Sequence, residues 1–233
     1  MSKIPLEKKV LNENDRIAAD LRARFVEHGI LCLNFVSSPG AGKTLLLERT
    51  LEQFPKDERV AVLTGDVQTD NDARRLARAG FPVKQITTAG ACHLDARMVE
   101  RALAEWRLQE IDLLLIENVG NLVCPASYDL GEAAKVVVLS VAEGDDKPLK
   151  YPAMFFRAGL LILSKIDLLP YVPFSLAAAR ENALRVHPKM EILELSSTTG
   201  AGFEAWQAWL QARRRAAAAE FQRTTRATQT QVG

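Results

Sequence analysis

Ile30-Leu-Cys-Leu-Asn-Phe-Val-Ser-Ser-Pro-Gly-Ala-Gly-Lys-Thr44 decides the fold. Residues 30–36 form a near-continuous apolar run, the length and composition of a buried strand. Ser37-Ser-Pro-Gly-Ala-Gly-Lys-Thr44 follows, and a helix is expected from Lys43 to about Phe54. A strand, a glycine-containing loop ending in Gly-Lys-Thr, and a helix make a Walker A phosphate loop. Without Cβ atoms, Gly40 and Gly42 let the backbone of Gly40, Ala41 and Gly42 approach phosphate oxygens, and the helix N-terminus adds a favourable dipole. Lys43 would reach the β- and γ-phosphates and the Thr44 hydroxyl would ligate Mg²⁺. Ser37 stands where the strict pattern has glycine. A chance glycine-rich turn is the alternative, and the flanking strand and helix argue against it.

Outward from this loop, apolar runs alternate with amphipathic stretches. Strands are expected at residues 59–64, 83–87, 111–117, 135–141, 159–164 and 191–195. Helices are expected at 14–27, 70–79, 94–108, 148–157, 173–186 and 203 to about 221. That alternation defines an α/β fold, a mostly parallel sheet with helices on both faces, of the three-layer P-loop NTPase type. Three segments are expected: an extension over residues 1–29 with one amphipathic helix (Ile17, Leu21, Phe25), the P-loop domain over 30–221, and a polar, disordered tail over 222–233. Ligands of such sheets bind beyond the carboxyl ends of the strands, and every motif below follows a strand end.

Composition narrows the class. The 233 residues are 48% apolar and 25% charged, with formal net charge +1, which gives no global field toward nucleic acid or anionic membrane. No run approaches the roughly 18 apolar residues of a spanning helix, and the N-terminus does not read as a signal peptide. Three cysteines, Cys32, Cys92 and Cys124, make no disulfide framework and suit a reducing cytoplasm.

Ser164-Lys-Ile-Asp167 resembles the Asn-Lys-x-Asp guanine motif, with serine in place of asparagine. An Asp167 carboxylate can accept from guanine N1–H and the exocyclic amine together, while adenine presents a lone pair at N1. Such charged hydrogen bonds contribute about 1.5–3 kcal/mol each. The Lys165 stem would lie along the base, and Ser196-Ser-Thr-Thr-Gly-Ala-Gly202 occupies the position of the last base-contacting loop. A surface Lys and Asp at a strand end is the plainer reading, and the context behind a Walker A loop favours GTP or GDP. Asp66, in Thr64-Gly-Asp-Val-Gln-Thr-Asp70, and Glu117, in Ile116-Glu-Asn-Val-Gly120, end strands beside the phosphates and are candidate Mg²⁺ ligands, although either could cap a turn.

Cys92-His93 sits at a loop-to-helix junction, where a helix N-terminus would favour the thiolate, and Cys124-Pro125 lies just past the Glu117–Gly120 turn. Thiolate plus imidazole suits Ni²⁺, Zn²⁺ or copper. Three such ligands do not close a structural site, and two-fold pairing would double them. On spacing alone, residues like Cys92 and Cys124 are more often small buried residues than ligands, as Cys32 is within its strand. His28 and His187 stand alone.

Together, Ser37–Thr44, Gly90-Ala-Cys-His-Leu-Asp95, Glu117-Asn-Val-Gly-Asn-Leu-Val-Cys-Pro-Ala-Ser-Tyr-Asp-Leu-Gly131 and Ser164-Lys-Ile-Asp167 resemble the HypB family of hydrogenase maturation GTPases, SIMIBI-class P-loop proteins related to UreG. The resemblance runs from about Ile30 to Trp209. It implies GTP hydrolysis in a nucleotide-dependent homodimer that assists nickel insertion into the large subunit of [NiFe] hydrogenase. It further implies a HypA-like nickel chaperone as partner, and Ni²⁺ or Zn²⁺ on Cys92, His93 and Cys124. Many relatives carry an N-terminal Cys-x-x-Cys-Gly-Cys or His-rich segment, whereas residues 1–29 hold no cysteine and only His28. Competing readings are a urease accessory nickel GTPase, whose Cys-Pro-His is here Cys124-Pro125-Ala126, and an ATP-using small-molecule kinase with structural Cys and His.

Overall fold

Leu31, Leu33 and Phe35 point to one side of the first strand, and Cys32, Asn34 and Val36 to the other, so a strand buried on both faces is the only placement that removes all its apolar groups from water. The computed structural model describes residues 6–66, 70–88 and 90–232 and places this strand, β1 (Leu31–Ser37), at the centre of a seven-stranded sheet. The others are β2 (Val60–Asp66), β3 (Val83–Thr87), β4 (Leu113–Glu117), β5 (Ala134–Ser140), β6 (Leu160–Ser164) and β7 (Glu191–Leu195). Every pairing is parallel, in the order β3-β2-β4-β1-β5-β6-β7. The chain lays β2, β3 and β4 on one side of β1 and β5, β6 and β7 on the other. The crevice at the carboxyl end of β1 is therefore the topological switch point at which such sheets bind ligands.

The helices are α1 (Leu6–His28), α2 (Lys43–Glu52), α3 (Asn71–Ala77), α4 (Ala96–Leu103), α5 (Lys147–Lys150), α6 (Pro152–Arg157), α7 (Leu176–Val186) and α8 (Phe203–Val232). On one face of the sheet α2 and α8 cover Leu33 and Phe35, with Trp206 edge-on to Phe35 at 5.9 Å and its indole N–H donating to Thr50 Oγ1 at 2.9 Å. On the other, Ile17, Leu21 and Phe25 of α1 are buried against Val99 and Leu103 of α4, so the first helix belongs to the main core. Gly131 makes that approach close: its φ is +82°, and a Cβ there would sit 2.9 Å from the Ala18 carbonyl oxygen.

Four expectations are corrected. Helix α1 begins at Leu6, eight residues before its expected start at 14. Helix α4 is shorter than residues 94–108 because Asp95 caps it, its carboxylate accepting from Met98 N–H at 2.7 Å, and the chain leaves the helix for a 3₁₀ turn at Leu108–Glu110. The single helix expected over 148–157 is two, meeting at Tyr151 ahead of Pro152. The polar segment after Phe221 is helical to Val232, not an irregular tail. Thr224 and Thr225 return their hydroxyls to the Glu220 and Phe221 carbonyls four residues back, which satisfies those hydroxyls without leaving the helix.

Candidate functional site

The loop after β1 turns by two glycines in the left-handed region, Gly40 at φ +74° and Gly42 at φ +99°, and opens space where no Cβ is present. Lys43 is buried at the start of α2 with its ammonium donating to Ser37 Oγ at 2.8 Å. Ser37, at the place of the usual first glycine, thus holds the lysine at the phosphate loop. Burial lowers the Lys43 pKa, opposed by the Glu117 carboxylate. Thr44 donates to Glu117 Oε1 at 2.7 Å, while Glu117 Oε2 is buried with no hydrogen-bond partner. Burial raises Glu117 to about 7, against the pull of Lys43 and the Thr44 hydrogen bond. Asp66 lines the same cleft of about 480 Å³ with Asn118 and Gly120. Residues 67–69 of the adjoining segment lie outside the described residues.

A threonine hydroxyl against an acid with one orphaned, buried oxygen is a donor set for a hard cation. The residues present therefore fit Mg²⁺ at Thr44 and Glu117.

At the end of β6, Ser164 donates to the Ala41 carbonyl at 2.7 Å, so the serine that replaces asparagine braces the phosphate loop. Lys165 takes a left-handed conformation, φ +60°, and its ammonium donates to Gly40 O at 2.7 Å. Asp167 Oδ1 is buried without a partner. Ser196 is fully buried, and its hydroxyl accepts from Thr198 and Thr199 N–H, shaping the last loop from beneath.

Cys92, His93 and Cys124 come together with one ligand atom from each within 4.8 Å of the others. Cys92 is exposed and the other two are half-buried. The His93 ring stacks on Tyr128 at 3.9 Å. Burial lowers the His93 pKa, opposed by Asp95, which favours the neutral imidazole that binds metals. The expectation of a pre-formed Cys92 thiolate is corrected. Helix α4 starts three residues beyond His93, and Cys124 Sγ lies 2.7 Å away. That hydrogen-bonding thiol raises the Cys92 pKa, with burial and charge repulsion adding to it. A Cys92 thiol so placed holds its proton until a cation compensates.

Reasoning from motifs missed the groups that hold these loops. Asn121 donates to the Cys92 carbonyl at 3.2 Å and accepts from Val123 N–H at 2.8 Å. Asn118 accepts from Leu94 N–H at 3.1 Å, next to His93. Lys147, ion-paired with Glu143, places its ammonium 3.5 Å from Ser38 Oγ. The available signal is a single polar residue within or just beyond an apolar strand, as with Asn118 after β4.

Fold and cleft together define a P-loop nucleotide-binding protein that carries a thiol and imidazole cluster on the loops beside its phosphate site. The chain belongs to the CobW/HypB/UreG family: the family's nucleotide-binding domain matches residues 31–194. Within it the similarity is to hydrogenase maturation factors HypB. The one from Azotobacter vinelandii is 52% identical over 209 residues, 90% of this chain and 69% of that protein. The crystal structure of HypB from Helicobacter pylori in complex with nickel superposes with a TM-score of 0.81 at 44% identity, covering 87% of this chain and 95% of that one. The structure of HypB from Archaeoglobus fulgidus gives 0.81 at 38% identity, covering 87% and 99%.

Proposed function

We propose that this protein is a GTP-hydrolysing metallochaperone that hands nickel on during hydrogenase maturation, its metal site gated by nucleotide. The observation that carries the reading is the shared loop: Glu117, at Thr44, and Cys124, in the cluster, are separated by six residues. Between them Gly120 packs so closely on the phosphate loop that a Cβ would lie 3.1 Å from Pro39 Cα.

Lys43, the backbone of Gly40, Ala41 and Gly42, and the α2 N-terminus would bind the phosphates. Thr44 and Glu117 would hold Mg²⁺, with Asp66 at the edge of the same cleft, and the ion would supply positive charge to offset that on the transferring phosphoryl group. The orphaned Asp167 oxygen suits the N1–H and amine of guanine, and the Lys165 stem would flank the base. An ATP-using kinase gives that buried carboxylate no partner, which favours GTP. Cys92, His93 and Cys124 would take Ni²⁺ as cargo, and Zn²⁺ fits the same donors. Three ligands, with Cys92 and Val123 exposed at the rim, leave room for a second copy to complete the coordination. A HypA-like nickel chaperone and a hydrogenase large subunit are the partners this role requires.

Titrating Ni²⁺ into the protein with GDP, and again with Mg²⁺ and a non-hydrolysable GTP analogue, tests the reading. Nucleotide-dependent affinity, one metal shared per dimer and loss of binding in Cys92→Ala are expected. Equal affinity in both states would sink the gating.

A further inference from the structure

Asn34 and Lys135 are polar residues set in otherwise apolar strands, and in the register of β1 on β5 they stand directly opposite one another. Both are buried, as are Asn118 and Glu132. The four side chains are joined. Asn118 Nδ2 donates to Asn34 Oδ1 at 3.2 Å, and Asn34 Nδ2 donates to Glu132 Oε1 at 3.2 Å. The same Glu132 oxygen is 3.3 Å from Lys135 Nζ, and Glu132 Oε2 accepts from Leu130 N–H at 2.6 Å.

Each end of this chain grips a loop that bears metal ligands. At one end Asn118 Oδ1 accepts from Leu94 N–H, adjacent to His93, and from Val119 N–H. At the other Lys135 donates to the carbonyls of Pro125 and Tyr128, both at 3.0 Å, adjoining Cys124 and the ring that His93 stacks on. Asn118 also follows Glu117 in the chain, with its N–H on the Phe35 carbonyl at 3.0 Å. A buried ion pair is a weak source of stability and is often replaceable by apolar residues, so holding geometry is the better-supported reason for one here. Fully satisfied polar networks of this kind fix a single arrangement.

We propose that Asn118, Asn34, Glu132 and Lys135 form a buried positioning relay that sets the spacing of Cys92 and His93 against Cys124 and transmits the state of the Glu117 carboxylate to them. This rests on the nucleotide-gated metal reading above and names the residues that would carry the gating. None of the four is a ligand; they act through the loops they hold.

The experiment uses two variants of the full chain. Lys135→Met with Glu132→Gln removes both charges at once, leaving neither unpaired. Asn34→Val cuts the relay in the middle while Lys135 keeps its grip on Pro125 and Tyr128. Ni²⁺ affinity and the thiolate-to-nickel charge-transfer band are recorded with GDP and with Mg²⁺ and the GTP analogue. GDP affinity and the thermal midpoint serve as checks on folding. The double variant should bind Ni²⁺ about 10- to 100-fold more weakly in both states, the usual cost of losing groups that orient metal ligands, with a displaced band. Asn34→Val should keep the GDP-state affinity within about threefold and lose the difference between nucleotide states. Wild-type affinities and an intact nucleotide difference in both variants would overturn the relay and leave the parent reading standing. A wild-type protein that binds nickel equally in both states would overturn both.

Discussion

Replacing Glu117 by glutamine in the nucleotide-free, Mg²⁺-free protein isolates one ionisation whose size follows from its surroundings. The carboxyl is buried beneath the phosphate loop, one oxygen held by Thr44 and the other unpartnered, and burial lifts it from 4.5 to about 7. A carboxyl whose folded pKa is raised keeps its proton longer in the folded state than in the unfolded one. Its contribution to stability is therefore full below about 4.5 and is lost as pH rises through about 7. At about 1.4 kcal/mol per tenfold change in proton affinity, that interval corresponds to roughly 3 kcal/mol.

Urea unfolding of wild type and Glu117→Gln, paired at pH values from 5 to about 8.5, reads this directly, because other titrating groups cancel in the difference. Wild type should lose about 2.5 kcal/mol relative to the variant across that range, with the slope levelling above pH 8 or so. Saturating Mg²⁺ and GTP analogue should abolish the slope, since a cation on the carboxylate expels the proton. Calorimetry should accordingly show proton release on Mg²⁺ binding at pH 6.5 and little at pH 8.5 or so. A gap between the two proteins that is flat in pH, or that widens in the opposite direction, would refute the argument that desolvation outweighs Lys43 at this carboxyl.

Asp167→Asn should weaken GTP binding by roughly a hundredfold, the loss of two charged hydrogen bonds, and shift preference toward xanthosine triphosphate. Competition of the two nucleotides for a fluorescent analogue measures it, and unchanged selectivity removes Asp167 from the base site. Gly131→Ala should destabilise the fold by about 2–3 kcal/mol, through its left-handed φ and the contact of the new Cβ with the α1 backbone. Thermal or urea unfolding checks this, and a change below about 0.5 kcal/mol would mean α1 yields easily.

Much of the fold was legible in residues 30–44, because a strand buried on both faces and a glycine loop before a helix each have few alternatives. The strand positions fell within a residue or two for the same reason: runs such as Val136, Val137, Val138 and Leu139 admit no amphipathic helix. Helix ends were less legible. Asp95 ends the expected start of α4 through a side-chain cap, and α8 continues past Phe221 with the Thr224 and Thr225 hydroxyls bonded to carbonyls within it. Local sequence carries both signals only weakly. At the site, Cys92, His93 and Cys124 were named together through the family resemblance, since spacing alone left the two cysteines readable as packing residues. The protonation of Cys92 was not legible, because the proximity of Cys124 is a tertiary fact that reverses the helix-terminus argument.

The least legible part is the buried network between β1, β5 and the loops beside them. Asn34 and Lys135 are over a hundred residues apart, and nothing in either stretch announces that the other strand will pair with it. Only the parallel register of β1 on β5 sets them face to face, and only then does the intrusion of a polar residue into each apolar strand acquire a reason. A buried amide and ammonium need partners. In this sheet the partners within reach are Asn118 and Glu132, on the segments before and after Cys124. With Gly120 against Pro39 on the phosphate side, the loop over residues 117–124 is held at both ends and along its middle. A loop so constrained has little freedom to deform gradually. Under the proposed gating, a displacement at Glu117 would move the loop as a unit and carry Cys124 with it.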